Sequence, residues 1–85
     1  MREAVAVLED IYDALRAGEP PVVEATYDEG VWTVLWGVDG LMLSCPPAAA
    51  RVTAGHMETE GYFPDVADML ITAADFCERD GASLH

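Results

Sequence analysis

Residues 22–45, VVEATYDEGVWTVLWGVDGLMLSC, alternate largely between two sets of side chains, and two glycine-bearing dipeptides interrupt the alternation. A period of two predicts strands. Asp39-Gly40 is a strong two-residue hairpin signal and Glu29-Gly30 a weaker one, because glycine alone tolerates positive φ freely. Counting outward from Asp39-Gly40 puts Val38 opposite Leu41, Trp36 opposite Leu43 and Val34 opposite Cys45. Counting from Glu29-Gly30 puts Tyr27 opposite Trp32, Ala25 opposite Val34 and Val23 opposite Trp36. Opposed residues share a sheet face. Both turns therefore assign Val23, Ala25, Tyr27, Trp32, Val34, Trp36, Val38, Leu41, Leu43 and Cys45 to one aromatic, apolar face. Glu24, Thr26, Asp28, Val31, Thr33, Leu35, Gly37, Met42 and Ser44 fall on the other. The reading is a three-stranded antiparallel meander.

Helical periods flank it. In residues 2–17, Ala4, Val7, Leu8, Ile11, Ala14 and Leu15 share one stripe at 100° per residue. Glu3 suits the first turn and Gly18 the stop. Pro20-Pro21 forbid helix and lead into the first strand. In residues 64–80, Val66, Leu70, Ala73 and Cys77 form a stripe flanked by Met69 and Ala74, with Pro64 at the start and Gly81 as the stop. Residues 48–54 are ambiguous. Prolines followed by AAAR favour a short helix opened by Ser44 or Cys45, whereas alternation through Ala50-Arg51-Val52-Thr53 would serve a fourth edge strand. Residues 55–63 (GHMETEGYF) read as an exposed loop, and residues 82–85 as a frayed tail. The fold expected is α+β: a three-stranded antiparallel meander with N- and C-terminal helices packed together on one face, in a single domain over residues 1–85.

Composition agrees with a folded core and adds one anomaly. A hydrophobic fraction of 52% argues against disorder. No run of apolar residues is long enough for a transmembrane helix, and acids in the N-terminal helix are unlike a signal peptide. Charge is the anomaly: 16 Asp and Glu stand against four cations, all Arg, for a formal net of −12. Such a surface repels nucleic acid and anionic membranes and attracts basic protein surfaces. Halophilic adaptation is the plain alternative, though the rich Trp, Leu, Ile and Val content fits it less well.

Chemistry is scarce in the sequence. Cys45, His56, Cys77 and His85 are isolated, without the paired spacing of a zinc site, and the two cysteines read as reduced core thiols. No calcium-loop pattern, phosphate loop or G-x-S-x-G frame is present. The expectation is a protein that is not an enzyme and uses no metal or cofactor.

The acids themselves are patterned. Asp65, Asp68 and Asp75 share a polar ridge of the last helix with Glu78 beside it, and Glu9, Asp10 and Asp13 add a strip on the first helix. Steps of three and four residues space such carboxylates about 5–6 Å apart, a scale near the phosphate spacing of a nucleic-acid strand. A solvated helix face is the ordinary explanation, but such faces mix signs, and on this ridge only Arg79 follows an acid (Asp75) at four residues. A second lead is the outer sheet face, where Val31, Leu35 and Met42 make a possible docking or homodimer patch.

A small, strongly acidic chain ordered helix, meander, acidic helix resembles some phage-encoded anti-CRISPR inhibitors, several of which mimic DNA on the basic channel of a type I Cascade-like complex. The resemblance lies in architecture and in Glu9, Asp10, Asp13, Asp65, Asp68, Asp75 and Glu78; no motif defines the group. It implies an inhibitor that binds a basic nucleic-acid-binding protein or CRISPR effector in the host cytoplasm, touching neither nucleic acid nor membrane, as a monomer or weak homodimer. Ile71 or Phe76 would supply apolar contact beside the acids. The alternative from the residues alone is a small adaptor that binds through Val31, Leu35 and Met42, its acidity serving solubility.

Overall fold

A computed structural model describes residues 3–83, with only the backbone for Ala4 and residues 80–83. Arg2, Leu84 and His85, included in the readings of the first helix, the tail and the isolated ligands, lie outside the described residues. The order is α1 (Ala4–Arg16), β1 (Pro21–Asp28), β2 (Val31–Val38), β3 (Leu41–Cys45), α2 (Pro47–Glu60) and α3 (Pro64–Ser83). The strands form one antiparallel sheet in the order β1-β2-β3, giving the α+β meander expected.

Register follows the two turns residue for residue. Val23 pairs with Trp36, Ala25 with Val34 and Tyr27 with Trp32; Val34 pairs with Cys45, Trp36 with Leu43 and Val38 with Leu41. The turns differ in backbone conformation. Glu29 and Gly30 both hold positive φ (52° and 84°), whereas at Asp39-Gly40 only the glycine does (φ 81°). Positive φ at both central residues is the type I′ signature, which matches strand twist but is unfavourable for a glutamate.

α1 lies over β3 and β2, α3 lies over β1 and β2, and α2 packs chiefly along α3. The two terminal helices thus share the apolar face of the sheet, but α2 rather than α1 is the principal neighbour of α3. Ile11, Val34, Trp36, Met57, Leu70 and Cys77 form the centre of the core, with Val7, Leu8, Leu15, Val23, Leu43 and Phe63 packed around them. Complete burial of Ile11, Met57 or Leu70 stabilises by about 1.5–3 kcal/mol each. Tyr27, at the end of the apolar face, is exposed although its partner Trp32 is half-buried.

Four sequence expectations are corrected. Only residues 61–63 of the expected loop 55–63 are a connection: α2 continues to Glu60, because Ala50, Ala54 and Met57 form a buried stripe that holds its second half against α3. Its N-cap is Pro46, in extended conformation and without a side-chain cap, rather than Ser44 or Cys45. Gly81 does not stop the last helix, which runs to Ser83; one glycine costs a helix only about 1 kcal/mol. Glu3 is the N-cap of α1 and stands just before the first turn. The stop at Gly18 does hold, and Gly61 closes α2 in the same way. Each is left-handed. The N–H groups of Gly18 and Glu19 donate to the carbonyls of Leu15 and Ala14, and those of Gly61 and Tyr62 to Glu58 and Met57, the paired bonds of a Schellman ending.

Candidate functional site

The acids fall where helical periodicity puts them, on the outward faces of α1 and α3. Glu9, Asp13, Asp65, Asp68, Asp75 and Glu78 are exposed, and Asp10 is half-buried. Their charges, however, are not equally available. Arg51 of α2 donates from Nε to Glu78 Oε1 at 3.1 Å, and from one terminal nitrogen to Glu78 Oε2 at 2.9 Å and to Asp75 Oδ1. These hydrogen bonds, first to Glu78 and then to Asp75, raise the guanidinium's already high pKa. Sequence spacing had offered Arg79 as the neighbour of Asp75. The cation engaged comes instead from another helix, 24 residues away along the chain. Nothing local signals such a pair, which exists only because Ala50, Ala54 and Met57 dock α2 against α3.

Asp13 is similarly occupied. Arg16 lies 3.4 Å from its carboxylate, while the same guanidinium sits 5.8–5.9 Å from the ring centres of Tyr12, Tyr62 and Phe63, within reach of a cation–π contact. Phe63 adopts a left-handed backbone (φ 45°) as the chain turns from α2 into α3. Asp65 lines a cavity with Leu15, Gly18, Glu19 and Phe63, so the start of α3 meets the end of α1. Arg16, which pairs with Asp13, also stands over the Phe63 ring at this junction. Glu9, Asp65 and Asp68 have no ion-pair partner among the described residues.

Asp68 stands beside apolar surface. With Val23, Ala25, Met69, Thr72, Ala73 and Phe76 it lines an open groove of about 410 Å³ between β1 and α3. Phe76 is 42% exposed, and its ring meets Trp32 edge-on, with centroids 5.5 Å apart at 82°. Trp32 in turn packs on Tyr27 at 5.1 Å. The indole Nε1–H of Trp32 is buried without a hydrogen-bond acceptor. Ile71 is half-buried and packs on the core, so Phe76 is the more available of the two apolar residues expected beside the acids. The groove itself was not legible in the sequence, since it needs the lateral offset of α3 over β1.

On the outer face of the sheet, Val31 is exposed while Leu35 and Met42 are half-buried. They do not form one patch. Thr33 stands between Val31 and Leu35, and its hydroxyl lies 2.5 Å from that of Thr26 across the strands. Four residues of strand put Val31 roughly 13 Å from Leu35. The apolar neighbours of Leu35 and Met42 lie the other way: Met42 pairs with Gly37, and Gly37 with Val22. Val22 was missed, although the parity of the strand placed it beside Glu24 on this face.

Cys45 and Cys77 are not joined in a disulfide. Burial pushes the Cys45 thiol above its ordinary pKa, which disfavours the nucleophilic thiolate, and His56 is exposed on α2. Among the described residues no group of three or more His, Cys, Asp or Glu is placed to hold a metal ion, and no helix is long and apolar enough to cross a membrane. Comparison with protein-family models, with curated proteins and with solved structures finds no match to this chain.

Proposed function

We propose that this chain is a non-catalytic binding protein that occupies a basic, nucleic-acid-binding surface on a partner, in the manner of DNA-mimicking anti-CRISPR inhibitors of Cascade-like complexes. The observation that carries this reading is the disposition of its few cations. Arg16 and Arg51, two of only four, are engaged in ion pairs with Asp13, Asp75 and Glu78. Glu9, Asp65 and Asp68 remain exposed and unpaired among the described residues. A net charge of −12 left unrelieved in this way costs self-repulsion, which a basic partner would offset. Long-range attraction would speed encounter, and Phe76 beside Asp68 would slow release. An inhibitor of this kind acts in the cytoplasm and binds neither nucleic acid nor membrane.

The test is competition. A purified type I Cascade-like complex is titrated with labelled target DNA in the presence and absence of this protein. DNA binding should fall as the protein is added, and the effect should weaken between about 50 and 200 mM salt, as phosphate-like contacts do. Glu9→Lys combined with Asp65→Lys should relieve the competition while leaving the melting curve cooperative. Undiminished DNA binding at low salt, or competition untouched by the double reversal, would sink the reading.

A further inference from the structure

β1 is an edge strand of eight residues with a partner on one side only. Among the described residues, none of the backbone hydrogen bonds outside the helices and strand ladders involves residues 21–28. The Glu29-Gly30 turn determines which groups are left over. Asp28 and Val31 close the two-residue hairpin; such a pair exchanges both backbone hydrogen bonds, and bonding then alternates along the strand. The N–H and C=O groups of Val23, Ala25 and Tyr27 therefore point away from β2. Natural edges are usually blunted by shortness, proline, bulges or lysine. β3 has five residues and runs into Pro46 and Pro47, but β1 has proline only at its first position.

The groove described above runs beside this bare edge. Its β1 side is Val23 and Ala25, and its α3 side includes Thr72, Ala73 and Phe76. Small residues at Ala25 and Ala73 leave room for side chains of an added strand on the core side. On the other side of such a strand stand Glu24 and Asp28, both exposed.

We infer that β1 and α3 bind an extended segment of a partner protein in which basic and aliphatic residues alternate. The segment adds to β1 as a fourth strand. Its aliphatic side chains enter the groove, and its Lys or Arg side chains face Glu24 and Asp28, with Asp68 supplying further negative charge on the groove side. Alternation is required because successive residues of a strand point to opposite faces. Charge selects this occupant over a second copy of the chain, which would bring its own Glu24, Asp28 and Asp68, and its own net of −12, against the same groups. The inference rests on the basic-partner reading above and assigns it a distinct contact.

Two synthetic peptides of about seven residues, the length of an ordinary strand, test it. One alternates Lys and Val; the other has the same composition in two blocks. Fluorescence anisotropy should show the alternating peptide binding about tenfold or more tighter, a difference of roughly 1.4 kcal/mol or more. Amide exchange should slow at Val23, Ala25 and Tyr27 when it binds. Ala25→Pro removes an outward N–H without breaking a ladder bond, and Thr72→Trp fills the groove from the helix. Each should weaken the alternating peptide by about tenfold or more, whereas the Glu9→Lys/Asp65→Lys protein should keep its preference for alternation. Equal affinity for both peptides, protection gained elsewhere, or self-association abolished by Ala25→Pro would each overturn the inference. If the peptide preference fails while DNA competition persists, the strand site is wrong and the inhibitor reading stands; the reverse result rejects the inhibitor and keeps the site.

Discussion

Arg51 of α2 grips Glu78 of α3 as a two-point fork, Nε to Oε1 at 3.1 Å and a terminal nitrogen to Oε2 at 2.9 Å. The fork joins two helices and cancels charge on the acidic ridge at the same time. Replacing Arg51 by alanine should therefore do two opposite things. The thermal midpoint should fall slightly, and less so at high salt, because the pair is exposed and screened. Affinity for a basic partner should rise, since Asp75 and Glu78 are released to it. Arg51→Lys should not restore the midpoint fully, because an ammonium cannot reproduce the planar fork. Melting curves at two salt concentrations, paired with the DNA-competition titration, read both effects.

Gly37 is indispensable for a steric reason. Its φ is 155°, and a Cβ built there would stand 2.0 Å from the carbonyl oxygen of Leu41 and 3.0 Å from the Cα of Met42. Both contacts are backbone, so no rotamer relieves them. Gly37→Ala should cost about 2–4 kcal/mol, seen as a lower urea midpoint. A midpoint equal to that of the parent would show that the β2–β3 pairing can shift to admit a methyl group.

The opposite sign is expected at Glu29. It holds φ 52° in the turn between β1 and β2, where asparagine is better tolerated. Glu29→Asn should stabilise by about 0.5–1 kcal/mol, with an unchanged urea slope because the same surface is buried. Loss of stability would mean that the glutamate side chain contributes more than its backbone strain costs.

Burial of Cys45 gives a pH dependence. Its thiol is held above the ordinary value of 9.0 in the folded chain, so the unfolded chain gives up this proton first. Its contribution to stability is complete below 9.0 and is lost as pH rises through the higher folded value. Tyr12, raised from 10.0 chiefly by burial, acts in the same direction at higher pH. Cys45→Ser should remove the earlier part of the alkaline decline and leave the later part. A decline identical in the serine variant would place its origin elsewhere.

Local sequence determined the meander, its register, the helical stripes on Val66, Leu70 and Cys77, and the stop at Gly18. These follow from short-range causes: side-chain parity along a strand, 100° steps around a helix, and the positive φ that glycine permits. It also determined that the chain is acidic and that Glu9, Asp65 and Asp68 face outward. The rest was decided by tertiary structure. Residues 55–60, with one glycine and two glutamates, are helical because Met57 and Ala54 find a surface on α3 that their own neighbourhood does not supply. Arg51 neutralises Asp75 and Glu78 because that docking brings them within hydrogen-bond reach. The groove beside Phe76 opens because α3 sits over β1 with alanines at Ala25 and Ala73. Which acids are free to meet a partner is thus a property of how the helices pack, since packing brings together charges that lie far apart along the chain.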